Sequence, residues 1–343
     1  MRIAMITETY PPEINGVALT VAGLVHGLRE AGHVVQVVRP RQPEADAASD
    51  APDSVLVRGA RLPRYPGLQL GLPTSRRLRA LWKHERPDAI YVATEGPLGC
   101  SALRAARALR IPACTGFHTR FDDFARHYGF GFLTPVVFAY LRRFHRQGAA
   151  TLVPTLELRD FLIENKFGNV MLLRRAVDNR VFSPSRRDAA LRAQWGIGPG
   201  QLVVVYVGRI APEKNLQLAV RTFREIQKVR RDARYVWVGD GPARAALAAE
   251  NPDFLFAGVR RGEDLARHFA SADLFLFPSL TETFGNVTLE ALASGVPAVA
   301  FDYGAAREHL RESCGRAVRF GDEERFVRAA LELLRGDVTR PEM

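Results

Sequence analysis

The sequence predicts an α/β protein built as two successive domains, each a parallel sheet covered by helices. Apolar runs of strand length alternate with longer amphipathic stretches from one end of the chain to the other. The alternation restarts after a loop-rich stretch near the middle. A chain of 343 residues is also longer than one core usually organises.

Taken in order, the apolar runs of the first half predict strands at residues 2–7, 34–38, 54–57, 89–92, 113–116 and 151–153. Helical spacing between them predicts helices at 17–31, 75–85, 98–109 and 134–146. Residues 40–73 carry six prolines and little periodicity, and read as a long surface loop. Residues 176–199, rich in Arg, Pro, Ser and Gly, read as a linker with a short helix at 188–195. It separates a first domain, 1–175, from a second, 200–343. In the second, strands are expected at 202–207, 235–238, 254–256, 274–277 and 298–300. Helices are expected at 215–231, 263–270, 287–293 and 324–335. In open α/β sheets ligands bind beyond the carboxyl ends of the strands, so the loops there are the places to seek chemistry.

Composition narrows the classes. Apolar content of 47% and charged content of 25% are those of a soluble globular protein. No apolar run approaches the roughly 18 residues that span a bilayer, and the start Met1-Arg2-Ile3-Ala4-Met5-Ile6 turns polar too early for a signal peptide. Cys100, Cys114 and Cys314 show no metal-ligand spacing and read as reduced packing residues, which points to the cytoplasm. The net charge of +11 is uneven: residues 1–175 hold 24 Lys and Arg against 15 Asp and Glu, the remainder 24 against 22. That excess fits an anionic partner for the first half, such as a membrane surface or an anionic substrate, or an arginine-rich composition throughout. Aromatic residues are not interleaved with the basic ones in a nucleic-acid-binding module, so no nucleic-acid partner is expected.

The densest signal is Thr281-Glu282-Thr283-Phe284-Gly285-Asn286, running through Val287-Thr288-Leu289-Glu290. Glu282 falls on a strand-to-helix loop, where a following helix N-terminus with a glycine admits phosphate or sugar oxygens. Glu290, about two turns along, is placed to accept hydrogen bonds from a ribose diol. Equally, Glu282 reads as a helix-start carboxylate and Glu290 as a solvated charge. Gly208-Arg209 follows the first strand of the second half, and Glu213-Lys214-Asn215 opens the next helix. Arg209 and Lys214 converging on one loop neutralise a leaving diphosphate, unless they are ordinary surface charges.

Together with Gly239-Asp240-Gly241-Pro242, and with seven residues between Glu282 and Glu290, these motifs resemble the retaining glycosyltransferases of family 4. Tyr10-Pro11-Pro12-Glu13-Ile14-Asn15-Gly16-Val17 is similar to that family's first strand-to-helix loop, and Phe117-His118-Thr119 to its His-bearing loop. The likeness covers nearly the whole chain and looks strongest to bacterial glycolipid mannosyltransferases and sulfoquinovosyl-diacylglycerol synthases. It implies the GT-B fold: two Rossmann-like domains facing across a cleft. It also implies transfer of a hexose, such as mannose or glucose, from a GDP- or UDP-linked sugar to a hydroxyl acceptor. Asn15 and Gly16 would bring a helix N-terminus to the donor phosphate, with Arg209 and Lys214 binding the diphosphate. Glu282 would hold sugar hydroxyls beside backbone NH groups of Phe284, Gly285 and Asn286. Glu290 would hold the ribose, Gly258 and Val259 the base, and His118 the transferred sugar. Asn15 stands where relatives often have a second glycine, and Ala176 begins a segment that usually starts with Gly. Relatives often continue into a further terminal helix.

Retention implied by the resemblance needs positioning and charge stabilisation more than a carboxylate pair. The sequence has no Asp-x-Asp, so neither metal nor cofactor is expected. A nucleotide-sugar epimerase or hydrolase on the same fold would need the same cradle without an acceptor surface. A dinucleotide oxidoreductase is disfavoured because Gly239-Asp240-Gly241-Pro242 lacks the third glycine. For the acceptor side, residues 75–84 and 130–146 place basic residues around apolar ones. Either they rest on anionic lipid, or Leu78, Leu81 and Trp82 pack on the sheet.

Overall fold

The computed structural model describes residues 1–13, 15–42, 54–61, 69–118 and 134–335. The chain divides into two compact units, Met1–Arg174 and Arg175–Met343.

The first unit runs β1 (Arg2–Ile6), α1 (Gly16–Glu30), β2 (Val34–Pro40) and β3 (Ser54–Val57). A short antiparallel pair follows, β4 (Gly59–Arg61) and β5 (Gln69–Gly71). Then come α2 (Ser75–His84), β6 (Ala89–Val92), α3 (Pro97–Leu109), β7 (Ala113–Gly116), α4 (Thr134–His145), β8 (Ala150–Val153), α5 (Leu156–Glu164) and β9 (Val170–Leu172). Its seven-stranded parallel sheet has the order β3-β2-β1-β6-β7-β8-β9.

The second unit opens with α6 (Ala189–Gln194) and continues β10 (Val203–Val207), α7 (Leu216–Val229), β11 (Arg234–Val238), α8 (Arg244–Glu250), β12 (Leu255–Gly258) and α9 (Gly262–Ala270). It closes with β13 (Leu274–Phe277), α10 (Asn286–Ala293), β14 (Ala298–Phe301), α11 (Gly304–His309), β15 (Gly315–Val318) and α12 (Glu323–Arg335). Its six parallel strands have the order β12-β11-β10-β13-β14-β15. All five residues of β10 are buried, because helices cover both faces of the sheet. α7 follows the helical period, burying Leu216, Ala219, Phe223 and Ile226.

Both sheets reverse their strand order once, at β1/β6 in the first unit and at β10/β13 in the second. Loops leaving the two strands on either side of such a reversal diverge to opposite faces, opening a crevice at their carboxyl ends.

Two expectations change, and one left open is decided. Residues 176–199 are not free connecting chain: Phe182 and Ile197 enter the second unit's core beside Val203 and Val205. Arg192, nearly buried, donates to the Ser271 carbonyl (2.8 Å), the Gln201 carbonyl (2.6 Å) and Asp273 Oδ2 (3.1 Å), while Asp273 also accepts from Arg187. On α2, Leu78 and Trp82 are fully buried in one core with Leu98, Leu103 and Phe144, so the apolar stripe packs inward and the basic residues face out. Phe144 and His145 of α4 are buried as well, which removes them from any docking surface. Residues 130–133 of that apolar segment lie outside the described residues.

Candidate active site

At the β10/β13 reversal the sequence-predicted charges meet. Tyr206, buried and stacked on Trp237 with ring centroids 4.5 Å apart, donates its hydroxyl to the Arg209 carbonyl at 3.0 Å. That fixes the backbone of Arg209 just beyond β10. A 3₁₀ turn at Pro212–Lys214, ended by Asn215 in a left-handed conformation (φ 52°), turns the chain into α7 and presents Lys214. From there the ammonium reaches the loop after β13: Lys214 Nζ lies 2.5 Å from Glu282 Oε1 and 3.1 Å from the Thr281 carbonyl. Ser279 Oγ donates to the same Glu282 oxygen at 2.9 Å. Arg209 pairs with Glu213 four residues on.

α10 begins at Asn286. Its N-cap, Gly285, has φ 87°, a backbone state that residues with a Cβ rarely adopt. Phe284 has a buried side chain, and its carbonyl accepts the Ala305 NH at 2.6 Å, which leaves its backbone NH as the group it can offer a ligand. Glu290 is half-buried, and desolvation pushes its carboxyl up to about 7. Gly258 ends β12 in a left-handed conformation (φ 72°), with Val259 exposed beside it. Arg209 with Glu213, Lys214 with Glu282, and the start of α10 therefore gather where two central strands end, with Glu290 further along that helix. Such a set binds an anion through the cations and hydroxyls through the carboxylates.

In the first unit the reversal lies between β1 and β6. Asn15 caps α1 by accepting from Ala18 N at 2.9 Å and donates to Thr9 Oγ1 at 2.6 Å, so its side chain is spent on the loop. Gly16, the first residue of α1, keeps its surroundings open: a Cβ there meets nothing within 4 Å. His118, buried beyond β7, has its Nε2 2.8 Å from the Tyr91 hydroxyl. That pair leaves no room at residue 116, where a Cβ would sit 2.1 Å from the tyrosine oxygen, so Gly116 is required.

Two carboxylates were missed by sequence reasoning. Glu8, just past β1, is buried; its Oε1 accepts Leu98 N at 2.9 Å at the start of α3, and its Oε2 accepts Gly71 N. Burial pushes its carboxyl up to about 7, with these backbone NH groups acting the other way. Glu95, past β6, is buried 3.5 Å from His145 Nε2, whose Nδ1 bonds Thr115 Oγ1 at 2.8 Å. An acidic residue two or three positions past a strand end was the available signal for both. Among the described residues no group of three or more His, Cys, Asp or Glu could hold a metal ion.

Comparison with known proteins gives this geometry its context. Residues 201–336 match the family described as "Glycosyl transferases group 1", and residues 14–180 match "Glycosyltransferase Family 4". A GDP-mannose-dependent alpha-mannosyltransferase of Mycolicibacterium smegmatis is 36% identical over 313 residues, covering 90% of this chain and 81% of the relative. The chain belongs to glycosyltransferase family 4. An alpha-monoglucosyldiacylglycerol synthase of Acholeplasma laidlawii is 28% identical over 356 residues, covering 97% of this chain and 88% of that one. Among solved structures, Anabaena HepE in complex with UDP superposes with a TM-score of 0.76 at 18% identity, over 99% of this chain and 91% of HepE. The glycosyltransferase thus has the two Rossmann-like domains of the GT-B fold.

Proposed function

We propose that this glycosyltransferase moves mannose from GDP-mannose, with retention at the anomeric carbon, to a hydroxyl of a membrane glycolipid. The ion pair of Lys214 and Glu282, closed across the β10/β13 reversal, carries the reading. Arg209 and Lys214 take the diphosphate and stabilise its charge as the glycosidic bond breaks. Glu282 holds the hexose hydroxyls, Glu290 the ribose, the Gly258–Val259 loop the base and His118 the transferred sugar. Gly16 opens α1 toward a phosphate. The donor follows the mannosyltransferase relative, and the lipid acceptor follows the diacylglycerol-linked one. The reaction needs no metal, because Arg209 and Lys214 supply the positive charge.

No helix among the described residues is long and apolar enough to cross a membrane. Peripheral docking on the cytoplasmic leaflet is supported by the outer face of the first unit. Arg76, Arg77, Arg79 and Lys83 of α2 and Arg104 and Arg107 of α3 are exposed there, and α2, α3 and α4 contain no Asp or Glu.

A thermal-shift panel of GDP, UDP and ADP tests the donor, since a ligand at 100 times its Kd adds about 2.7 kcal/mol. GDP alone is expected to raise the transition. Stabilisation by UDP alone would transfer the donor assignment to UDP-glucose, and none by either would sink the donor-site reading. Co-sedimentation with anionic but not neutral vesicles, weakened by salt and by Arg76, Arg77 and Arg79 to Ser, is expected of docking. Equal indifference to both vesicle types would leave a soluble acceptor.

A further inference from the structure

The charges of the donor-side loops close on themselves. Lys214 gives its ammonium to Glu282, and Arg209 gives its guanidinium to Glu213. The four side chains sum to no net charge, whereas a bound diphosphate calls for a positive cradle. Glu282 already has a role in this reading, on the sugar. Glu213 has none. Its side chain is 13% exposed against 51% for Arg209, so the carboxylate is the sheltered partner and the guanidinium the accessible one. Its carbonyl also receives the Leu280 NH at 3.4 Å, which ties the loop after β10 to the loop after β13. Arg209 is held through its own carbonyl by Tyr206, so its guanidinium can change partner without its backbone moving.

We propose that Glu213 is a resident counter-ion of the diphosphate subsite. It holds Arg209 in place while the site is empty and yields it to phosphate when the donor binds. Its charge, still close by, then loosens the nucleoside diphosphate product. This rests on the donor-site reading above. Glu213 is a positioning residue here: it acts on the substrate through Arg209. A like charge a few ångströms from a diphosphate in a partly sheltered loop is worth about tenfold in affinity.

Isothermal titration of GDP and of UDP into the wild type and Glu213→Gln tests this. Whichever diphosphate binds the wild type is expected to bind Glu213→Gln about tenfold tighter. The matching nucleoside, which has no phosphate, should bind both proteins equally. In steady state, KM for the donor and kcat should fall together as product release slows. Glu213→Asp keeps the charge and should bind the diphosphate no tighter than the wild type. Equal or weaker diphosphate binding by Glu213→Gln, in a variant with wild-type thermal unfolding, overturns the proposal. So does tightening by Glu213→Asp, including where the Gln variant fails to fold, because shape rather than charge would then be responsible. A wild type that binds neither GDP nor UDP removes the donor-site reading, and this proposal with it. A wild type that binds while the variant shows no tightening removes this proposal alone.

Discussion

Lys214 and Glu282 hold each other at 2.5 Å between two partly exposed loops, and neither belongs to a hydrophobic core. Ala at Lys214, Arg209 or Glu282 is therefore expected to lower turnover by roughly a hundredfold or more, the scale of one lost transition-state contact. Thermal unfolding should barely move. Wild-type turnover in all three variants would remove their assignment. Glu8 behaves differently. Its carboxyl is raised from 4.5 to about 7 by burial. A group raised in this way gives stability that is complete below about 4.5 and lost as pH rises through about 7, here at most about 3 kcal/mol. Denaturant unfolding of Glu8→Gln against wild type should thus shift in the variant's favour between pH 5 and pH 8. A difference independent of pH would show that the carboxyl titrates at its ordinary value. Sequence reasoning placed Lys214 and Glu282 on strand-end loops, where the structure has them, because each follows an apolar run of strand length. It missed Glu8 because the NH groups that receive it, at Gly71 and Leu98, lie 63 and 90 positions away and share no pattern with it.

Among elements, α2 shows what a pattern leaves open. Its stripe of Leu78, Leu81 and Trp82 fits either a lipid surface or the sheet, and only the packing of Trp82 against the neighbouring helix and strands decides. Trp82→Ala should cost about 3–5 kcal/mol, measured by urea unfolding, as a large buried aromatic lost from a core does. Ser at Arg76, Arg77 and Arg79 should each stay within about 0.5 kcal/mol on the same measure. A Trp82→Ala protein as stable as wild type would contradict that packing. The central strands were legible because both of their faces are covered, which demands unbroken apolar runs such as Val203–Val207. Among the outermost strands, β3 and β12 were legible and β9 and β15 were not. β9 has only three residues, none of them fully buried, and β15 mixes Gly and Arg with Ala and Val, so neither stands out as an apolar run. α5, α8 and α11, of six to nine residues, were not singled out, although α6, α9 and α10 of similar length were. The presumed linker misled through its composition: its arginines are there to hold Asp273 and backbone carbonyls of the second unit.

Across the whole molecule, the division of charge separates two kinds of work. The first unit carries most of the +11, and the second is nearly balanced, with its cations and carboxylates already paired around the candidate cradle. On the proposed reading, in which Arg209 and Lys214 neutralise the diphosphate, transfer activity should survive excess EDTA, and the sequence has no Asp-x-Asp to carry a metal. Complete loss on chelation, restored by magnesium or manganese, would show the diphosphate to be held otherwise. The strand-order reversal at β10/β13 has a consequence for how the site is born. Lys214 and Glu282 are 68 positions apart, and their loops meet only once β13 has docked beside β10. On the ribosome, a nascent chain that has emerged through α7 already displays Arg209 beside Glu213, yet Lys214 still lacks the Glu282 that holds it. Closing that long loop is a late, entropically costly step, so competence to bind a nucleotide sugar arrives with the tertiary fold and not before it.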